Sequence, residues 1–515
     1  MSGAADSKPY VPMSRSRGAV LLSVARLTSM GIQLLVVPSL IGFLGEDAYG
    51  QCLWVIALSA FCLLTDPGLI DGGVVFLMRA QATESGLDPG NVWKTHRTYC
   101  FLHALFAAAI FIVAGFFVPV KGLTPSDTAI LFALAAAYYA AQSIQSANMH
   151  YLTATRMYDR LAIVNAVGAS VGIVMAVVLV SIFLSPVAYI SGLLLGASIT
   201  IVTGTVLIRK HRATVTTGPS TFDFALAKEF LRVGWKTYPN RLLMLLAGIG
   251  DRLLLGPVKQ GAALTHYETS TRIPNGMTEL TGLLRTTIQA DIAQSYLVGP
   301  SAFAAAVDRY SRLSLALGIC LVVVPSAFGA AILDVWLGDK MYAGGPIIMV
   351  GIALYRAFEL YYGCHGLAMM AALKPHLMFP AILWNASMTI VCTIPAYTLF
   401  GVEGLAYMNV LINALLLFPL ISLSCRYVVP ALDKREHAWA VMRLLTIGVV
   451  VSAFFYAVVH LPFFRAYPIL GLLLMPVGTI VAGASIFGLR LVATPLPVAR
   501  FVNRVLPGAT NWLSH

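Results

Sequence analysis

Long apolar runs, separated by short polar breaks, occupy the chain from residue 18 almost to its end. An α-helix needs about 20 such residues to cross about 30 Å of hydrocarbon. Runs of that order fall at 18–44, 48–66, 98–119, 128–150, 161–184, 187–208, 231–255, 263–287, 311–333, 344–370, 376–399, 402–425, 440–461 and 467–494. The pattern predicts an all-α polytopic membrane protein with about fourteen transmembrane helices. An even number of crossings puts both ends on one side. The first run exceeds the core of a secretory signal, about 7–15 residues. It also holds Arg26 and lacks a small-residue cleavage pattern, so it is expected to remain as the first helix.

Composition narrows the class. Of 515 residues, 58% are hydrophobic and 11% charged, with a mean hydropathy of +0.82. A water-soluble chain carries about 25% charge, and so few polar side chains cannot cover a folded surface of this size, which excludes a soluble enzyme. The seven cysteines stand singly in apolar runs and are expected to be small buried hydrophobes, with neither a disulfide framework nor a metal site. The net charge of +12 has a positional meaning. With a cytoplasmic N-terminus, and with Arg232, Arg312, Arg443 and Arg490 counted at the cytoplasmic ends of their runs, 23 of the 34 Lys and Arg residues fall on the cytoplasmic side, 4 on the other (Lys121, Lys259, Lys340, Arg465) and 7 deeper within spans. That asymmetry predicts cytoplasmic N- and C-termini and no nucleic-acid role.

The runs also echo one another. Leu44-Gly45 and Tyr49-Gly50 at the first hairpin correspond to Leu255-Gly256 and Tyr267-Glu268 at the seventh, and Asn165 and Asn385 stand about 220 residues apart in matching contexts. The expected organisation is a six-helix lobe over 1–208, a polar cytoplasmic linker over 209–228, a second six-helix lobe over 229–428, and two additional helices with a cytoplasmic tail over 429–515. Such repeats place a transport path at their interface, here a central cavity. Gly168/Gly172 and Gly192/Gly196 have the spacing of close helix packing.

Ionisable groups at membrane depth cost at least about 2.5–3.5 kcal/mol each and usually face a cavity. The cations are Arg26, Lys236, Arg241, Arg252, Arg272, Arg285 and Arg356; the acids are Asp251, Glu268, Glu279 and Glu359, with Asp66 closing the second span. At helical spacing Glu268, Arg272, Asn275, Glu279 and Thr286 form one stripe. Pro239 and Pro274 are expected to interrupt the seventh and eighth helices. Several of these charges have a plain alternative: Lys236 and Arg252 can snorkel, Arg356 and Glu359 can neutralise each other, and Asp66 can cap a helix. Arg26 and Arg272, near mid-span, are harder to explain away. The cationic surplus favours an anionic cargo, because guanidinium forks match phosphate oxygens. The acids are candidates for ion coupling. Tyr138, Tyr139, Gln142, Gln145, Asn148, Tyr355, Tyr361 and Tyr362 offer groups suited to sugars, or to helix contacts and interfacial belts. His266, His365 and His460 are isolated and read as structural.

Several segments resemble the polysaccharide-transport flippases of the multidrug/oligosaccharidyl-lipid/polysaccharide exporter superfamily. These are residues 44–54, LGEDAYGQCLW, with an arginine in the preceding helix; residues 63–69, LLTDPGL; residues 250–256, GDRLLLG, followed by 267–272; and residues 333–338, LDVWLG. The chain departs from the family pattern at Ile288-Gln289-Ala290-Asp291, which lacks a proline, and in the pair of runs over 440–494, where many relatives have twelve helices; that pair is either wrongly divided or similar to the additional helices of the lipid II flippase. The resemblance implies alternating access in a bacterial inner membrane. It implies an undecaprenyl-pyrophosphate-linked O-antigen or exopolysaccharide unit as cargo, and a transporter rather than an enzyme. It further implies no cofactor beyond coupling to protons or sodium, with membrane lipids, a polysaccharide polymerase and a chain-length regulator as partners. Two alternatives stay open: a cation-coupled drug or metabolite exporter, which calls for an acid-dominated cavity, and a membrane polysaccharide polymerase or ligase, which calls for a catalytic His/Asp constellation or a large outer loop.

Overall fold

The computed structural model describes residues 15–66, 68–80, 87–120, 123–215, 221–235, 238–258, 261–372, 374–461 and 474–488. Among these residues the structure is almost entirely helical, with no strand. The helices are α1 (Arg15–Leu44), α2 (Glu46–Ser59), α3 (Leu69–Arg79), α4 (Pro89–Gly115), α5 (Pro125–Ala154), α6 (Tyr158–Phe183), α7 (Pro186–Val215), α8 (Phe224–Gly234), α9 (Tyr238–Val258), α10 (Gly261–Val298), α11 (Pro300–Leu337), α12 (Gly345–Ala371), α13 (Phe379–Phe400), α14 (Glu403–Tyr427), α15 (Lys434–Val459) and α16 (Met475–Gly488).

Nine spans among the described residues are long and apolar enough to cross a membrane, and the chain is a multi-pass membrane protein. α2, α5, α9 and α10 fall short of that measure, and α9 and α10 carry most of the charges the sequence singled out. Large apolar side chains such as Phe418, Phe117 and Leu35 lie exposed on the surface, as a hydrocarbon solvent permits.

The second run ends at the Asp66 break, after α2 passes into a 3-10 turn over Ala60–Thr65. Two features differ from the sequence reading. A further helix, α3, starts at Leu69 where the reading placed only a loop. The seventh run is two helices, α8 and α9. α8 is short and amphipathic, burying Leu226, Ala227 and Phe230 at helical spacing while Lys228, Glu229 and Arg232 stay outside. Pro239 therefore stands in the first turn of α9, where the missing N–H is harmless, whereas Pro274 does lie inside α10.

The chain divides into two compact units, one formed by Met1–Leu245 with Arg252–Thr265, the other by Leu246–Asp251 with His266–His515. In the first, α4 packs on α5, α6 on α7, α1 on α6, and α3 on α8. Its core gathers Phe76, Trp93, Tyr151, Met157 and Phe230, with the Trp93 and Tyr151 rings 4.9 Å apart. The glycine spacing does what it predicted: a Cβ on Gly196 would stand 2.2 Å from the Gly172 Cα, so only glycine lets α6 and α7 approach this closely. Gly68, at φ 96°, sits at the break before α3, where an added Cβ would strike the Gly234 backbone that ends α8.

In the second unit α11 packs on α12, α12 on α14, and α13 on α14, while α15 and α16 both pack on α11. The two C-terminal helices thus belong to its core, with Phe328 of α11 against Phe455 of α15. α11 ends at Leu337, followed by Gly338 at φ 60°.

Candidate functional site

Each unit contains a buried polar centre built on a helix that the sequence marked. In the first, the chain breaks between α2 and α3, and Asp66 fills the break with its carboxylate wholly buried. Its Oδ1 accepts the backbone N–H of Gly68 at 3.2 Å and the Tyr99 hydroxyl at 2.9 Å, and the Ile70 N–H stands at 3.4 Å. Arg241 of α9 closes the shell through Nη1 at 2.6 Å from Oδ2. Tyr238, one turn earlier, donates to the Leu64 carbonyl at 2.7 Å. Asp66 is thus a helix cap, as its sequence allowed, and also half of an ion pair that the sequence did not point to.

In the second unit, Asp251 of α9 is buried and accepts the Tyr267 hydroxyl at 2.7 Å. Asn409 donates to the same hydroxyl at 3.2 Å, Asn413 donates to the Asn409 carbonyl, and Tyr362 donates to Asn413 at 3.0 Å. One polar chain therefore runs through α9, α10, α14 and α12. Beside it Arg356 donates from Nε to Asn275 at 3.0 Å and from Nη1 to Glu359 at 2.5 Å, and its guanidinium lies 4.8 Å from the Tyr355 ring centre. The Asn275 contact joins that one residue of the predicted α10 stripe to α12.

The remaining sequence candidates stand as follows. Arg26 is exposed on α1; Arg252 on α9, and Glu268 and Arg272 on α10, are half-buried. Glu279 and Arg285 lie on α10 with side chains outside the described residues, and Lys236 lies outside them altogether. Asn148 bonds the Thr205 hydroxyl of α7 and Tyr361 bonds His437, both helix-to-helix contacts rather than open sugar ligands. Outside the spanning segments, Tyr342 stacks on His266 with ring centres 4.5 Å apart. Burial and the Glu403 carboxylate that accepts its proton push the Tyr342 phenol up to about 12. Among the described residues, no group of three or more His, Cys, Asp or Glu is arranged for a metal ion.

Histidines were the main omission. His96, His103 and His150 cluster in the first unit. In the second, His437 of α15 bridges Asp308 of α11 at 2.5 Å and Tyr361 of α12 at 2.6 Å, with the His365 ring 5.9 Å away. The His437 bridge pins the first added helix to the lobe. His437→Ala should cost about 1–3 kcal/mol, because it leaves Asp308 and Tyr361 short of a buried partner; thermal unfolding in detergent checks it, and a variant that melts with the parent removes the pinning role.

Comparison with known proteins adds the family context. A family model described as polysaccharide biosynthesis protein matches residues 16–281. No curated protein matches the chain. Among solved structures, a lipid II flippase MurJ in an inward closed conformation is 12% identical, with 91% of this chain and 99% of that chain covered and a TM-score of 0.66. An outward-facing multidrug resistance MATE family transporter of the MOP superfamily is 13% identical over 80% of this chain and 96% of that one, with a TM-score of 0.56. A MOP superfamily transporter from Pyrococcus furiosus, described as having a binding pocket of reverse polarity that suggests a different function, is 14% identical over 80% and 96%, with a TM-score of 0.55. At these identities the likeness establishes a common fold.

Proposed function

We propose, from the premise that this chain belongs to the polysaccharide biosynthesis protein family, that it is a flippase carrying an undecaprenyl-pyrophosphate-linked oligosaccharide from the cytoplasmic to the periplasmic leaflet of a bacterial inner membrane. The observation that carries this reading is the family match over residues 16–281, in a chain folded like a lipid flippase. The cation excess within the spans adds the chemistry of the cargo, because a pyrophosphate needs guanidinium partners in a medium where water cannot neutralise it. Arg26, Arg272 and Arg356 are the cations assigned to it, with Arg252, Arg285 and Lys236 as supporting charge. Arg241 is committed to Asp66 and serves structure and coupling instead. Asp66, Asp251, Glu268, Glu279 and Glu359 are the acids from which proton or sodium coupling is drawn. The lipid tail stays in the bilayer while the protein alternates between inward-open and outward-open states, both termini cytoplasmic. The delivered unit then passes to a polymerase and its chain-length regulator.

Deleting the gene should remove surface polysaccharide and leave solvent-extractable lipid-linked oligosaccharide accumulated in the membrane, with a plasmid copy restoring both. Normal surface polysaccharide in the deletion strain overturns the reading. Unchanged polysaccharide together with new sensitivity to small toxic compounds would instead identify a drug exporter.

A further inference from the structure

The antiparallel pair α4 and α5 carries a ladder of polar rungs through an otherwise apolar interface. His96 of α4 faces His150 of α5, with Nε2 and Nδ1 3.2 Å apart. Seven residues along each helix, His103 faces Ser143, with Nδ1 and Oγ 3.5 Å apart. Seven residues are two helical turns, about 10.5 Å of rise, so the rungs share one face. Cys100 lies between them, its thiol 3.8 Å from the His96 ring.

Hydroxyl bookkeeping defines the His103 environment. Its Nε2 lies 2.9 Å from the Thr65 hydroxyl, which already donates to the Cys62 carbonyl at 2.7 Å. The Ser143 hydroxyl donates to the Cys100 carbonyl at 3.4 Å. With the hydroxyl protons on these carbonyls, each ring nitrogen faces an oxygen lone pair. A neutral imidazole has one N–H and one lone pair and satisfies one of these contacts; an imidazolium has two N–H groups and satisfies both. The counter-charge is close: Thr65 precedes Asp66 in sequence, and Tyr99, which donates to Asp66, stacks on the His103 ring at 6.1 Å.

The second rung has spare capacity. His96 is fully buried, and its Nδ1 has no hydrogen-bond partner among the described residues. Two imidazoles in contact share one N–H between them. A proton that arrives on one is readily passed to the other, and both cannot stay charged at that separation.

We propose that the coupling ion of this transporter is the proton, bound at His103 against the Asp66–Arg241 pair, with the His96–His150 pair as a second proton-holding rung of the same α4/α5 interface. This rests on the flippase reading and specifies its energy source. The groups facing the column are Asp66 from the α2/α3 break, Arg241 from α9, Tyr99 and Cys100 from α4, Tyr139 from α5, and Cys62 from the 3-10 turn. Each rung takes a proton from water onto an imidazole nitrogen in one leaflet-facing state and returns it to water in the other. Both rungs are required for a driven cycle, and no other bond is formed or broken.

The test uses cells in which the chain is the sole copy, with surface polysaccharide measured after pulse labelling. Nigericin, which collapses the pH gradient while sparing the electrical potential, should reduce wild-type export about tenfold, within the range of typical coupling energies. His103→Gln and the double variant His96→Gln/His150→Gln should export slowly and show no further loss with nigericin. Membrane level and gel-filtration profile in detergent report folding, and a variant that fails there is replaced by His103→Asn, for which the same result is expected. Wild-type export indifferent to nigericin, or well-folded variants with undiminished nigericin sensitivity, overturns the proton site. Export that persists in the gene deletion overturns the flippase reading instead, so the two failures are distinguishable.

Discussion

Asp66→Ala should lower the stability of the first unit by about 3–5 kcal/mol, the range for removing one partner of a buried ion pair. The donors that converge on this carboxylate include the guanidinium of Arg241 at 2.6 Å, the hydroxyl of Tyr99 at 2.9 Å, and the N–H groups of Gly68 and Ile70 at 3.2 and 3.4 Å. Alanine satisfies none of them. It leaves a guanidinium that is only 24% exposed without this counter-charge, and it strips the cap from α3 at a point where the helix is already broken. Against a usual total of about 5–15 kcal/mol, such a loss removes much of the margin. The asymmetry of buried pairs supplies the control. Asp66→Ala/Arg241→Met removes both charges, and its cost should be well below the sum of the two single changes. A four-cornered cycle of thermal unfolding in detergent measures this, and a coupling below about 0.5 kcal/mol, the usual scatter of additive sites, would show that the pair is incidental.

That pair also marks the limit of what the sequence makes legible. Helix positions follow from apolar runs, because a hydrocarbon solvent leaves a backbone little choice but helix. The hairpin glycines, the α6/α7 glycine contact and the Arg356–Glu359 pair are all local, separated by a few residues or set by one helical period. Asp66 and Arg241 stand 175 residues apart, and no spacing rule connects them. α8 was hidden for another reason: its apolar positions run on through Leu231 and Val233 into the next helix, so one amphipathic segment and one spanning segment look like a single run. Its own period, Leu226, Phe230 and Val233, was visible and shorter than the window that a spanning helix demands. The histidine column carried a usable signal as well. His96 and His103 repeat at seven residues on one helix, Ser143 and His150 at seven on the next, and a search of charged side chains alone passes over groups that are neutral in half their states.

Arg356→Ala should reduce surface polysaccharide roughly ten- to a hundredfold, the equivalent of about 1.5–3 kcal/mol for a hydrogen bond to a charged group, with the protein at its normal level in the membrane. The guanidinium has five N–H donors; the contacts of Nε with Asn275, and of Nη1 with Glu359 and Tyr355, leave Nη2 unengaged among the described residues. The side chain is 28% exposed, so this free edge is accessible, and its orientation is fixed beforehand by Asn275 and Glu359. A fork held in this way binds an anion without first paying the entropy of ordering the arginine. Arg356→Lys keeps the charge and loses the fork, and should fall between the parent and the alanine variant; equality with the parent would reduce the role of Arg356 to simple charge. Arg26→Ala/Arg272→Ala removes two further cations from the spans and should abolish surface polysaccharide. If both the Arg356→Ala and the Arg26→Ala/Arg272→Ala strains make normal polysaccharide from well-folded protein, the anion is held elsewhere and the cation excess serves only the packing of the helices that contain it.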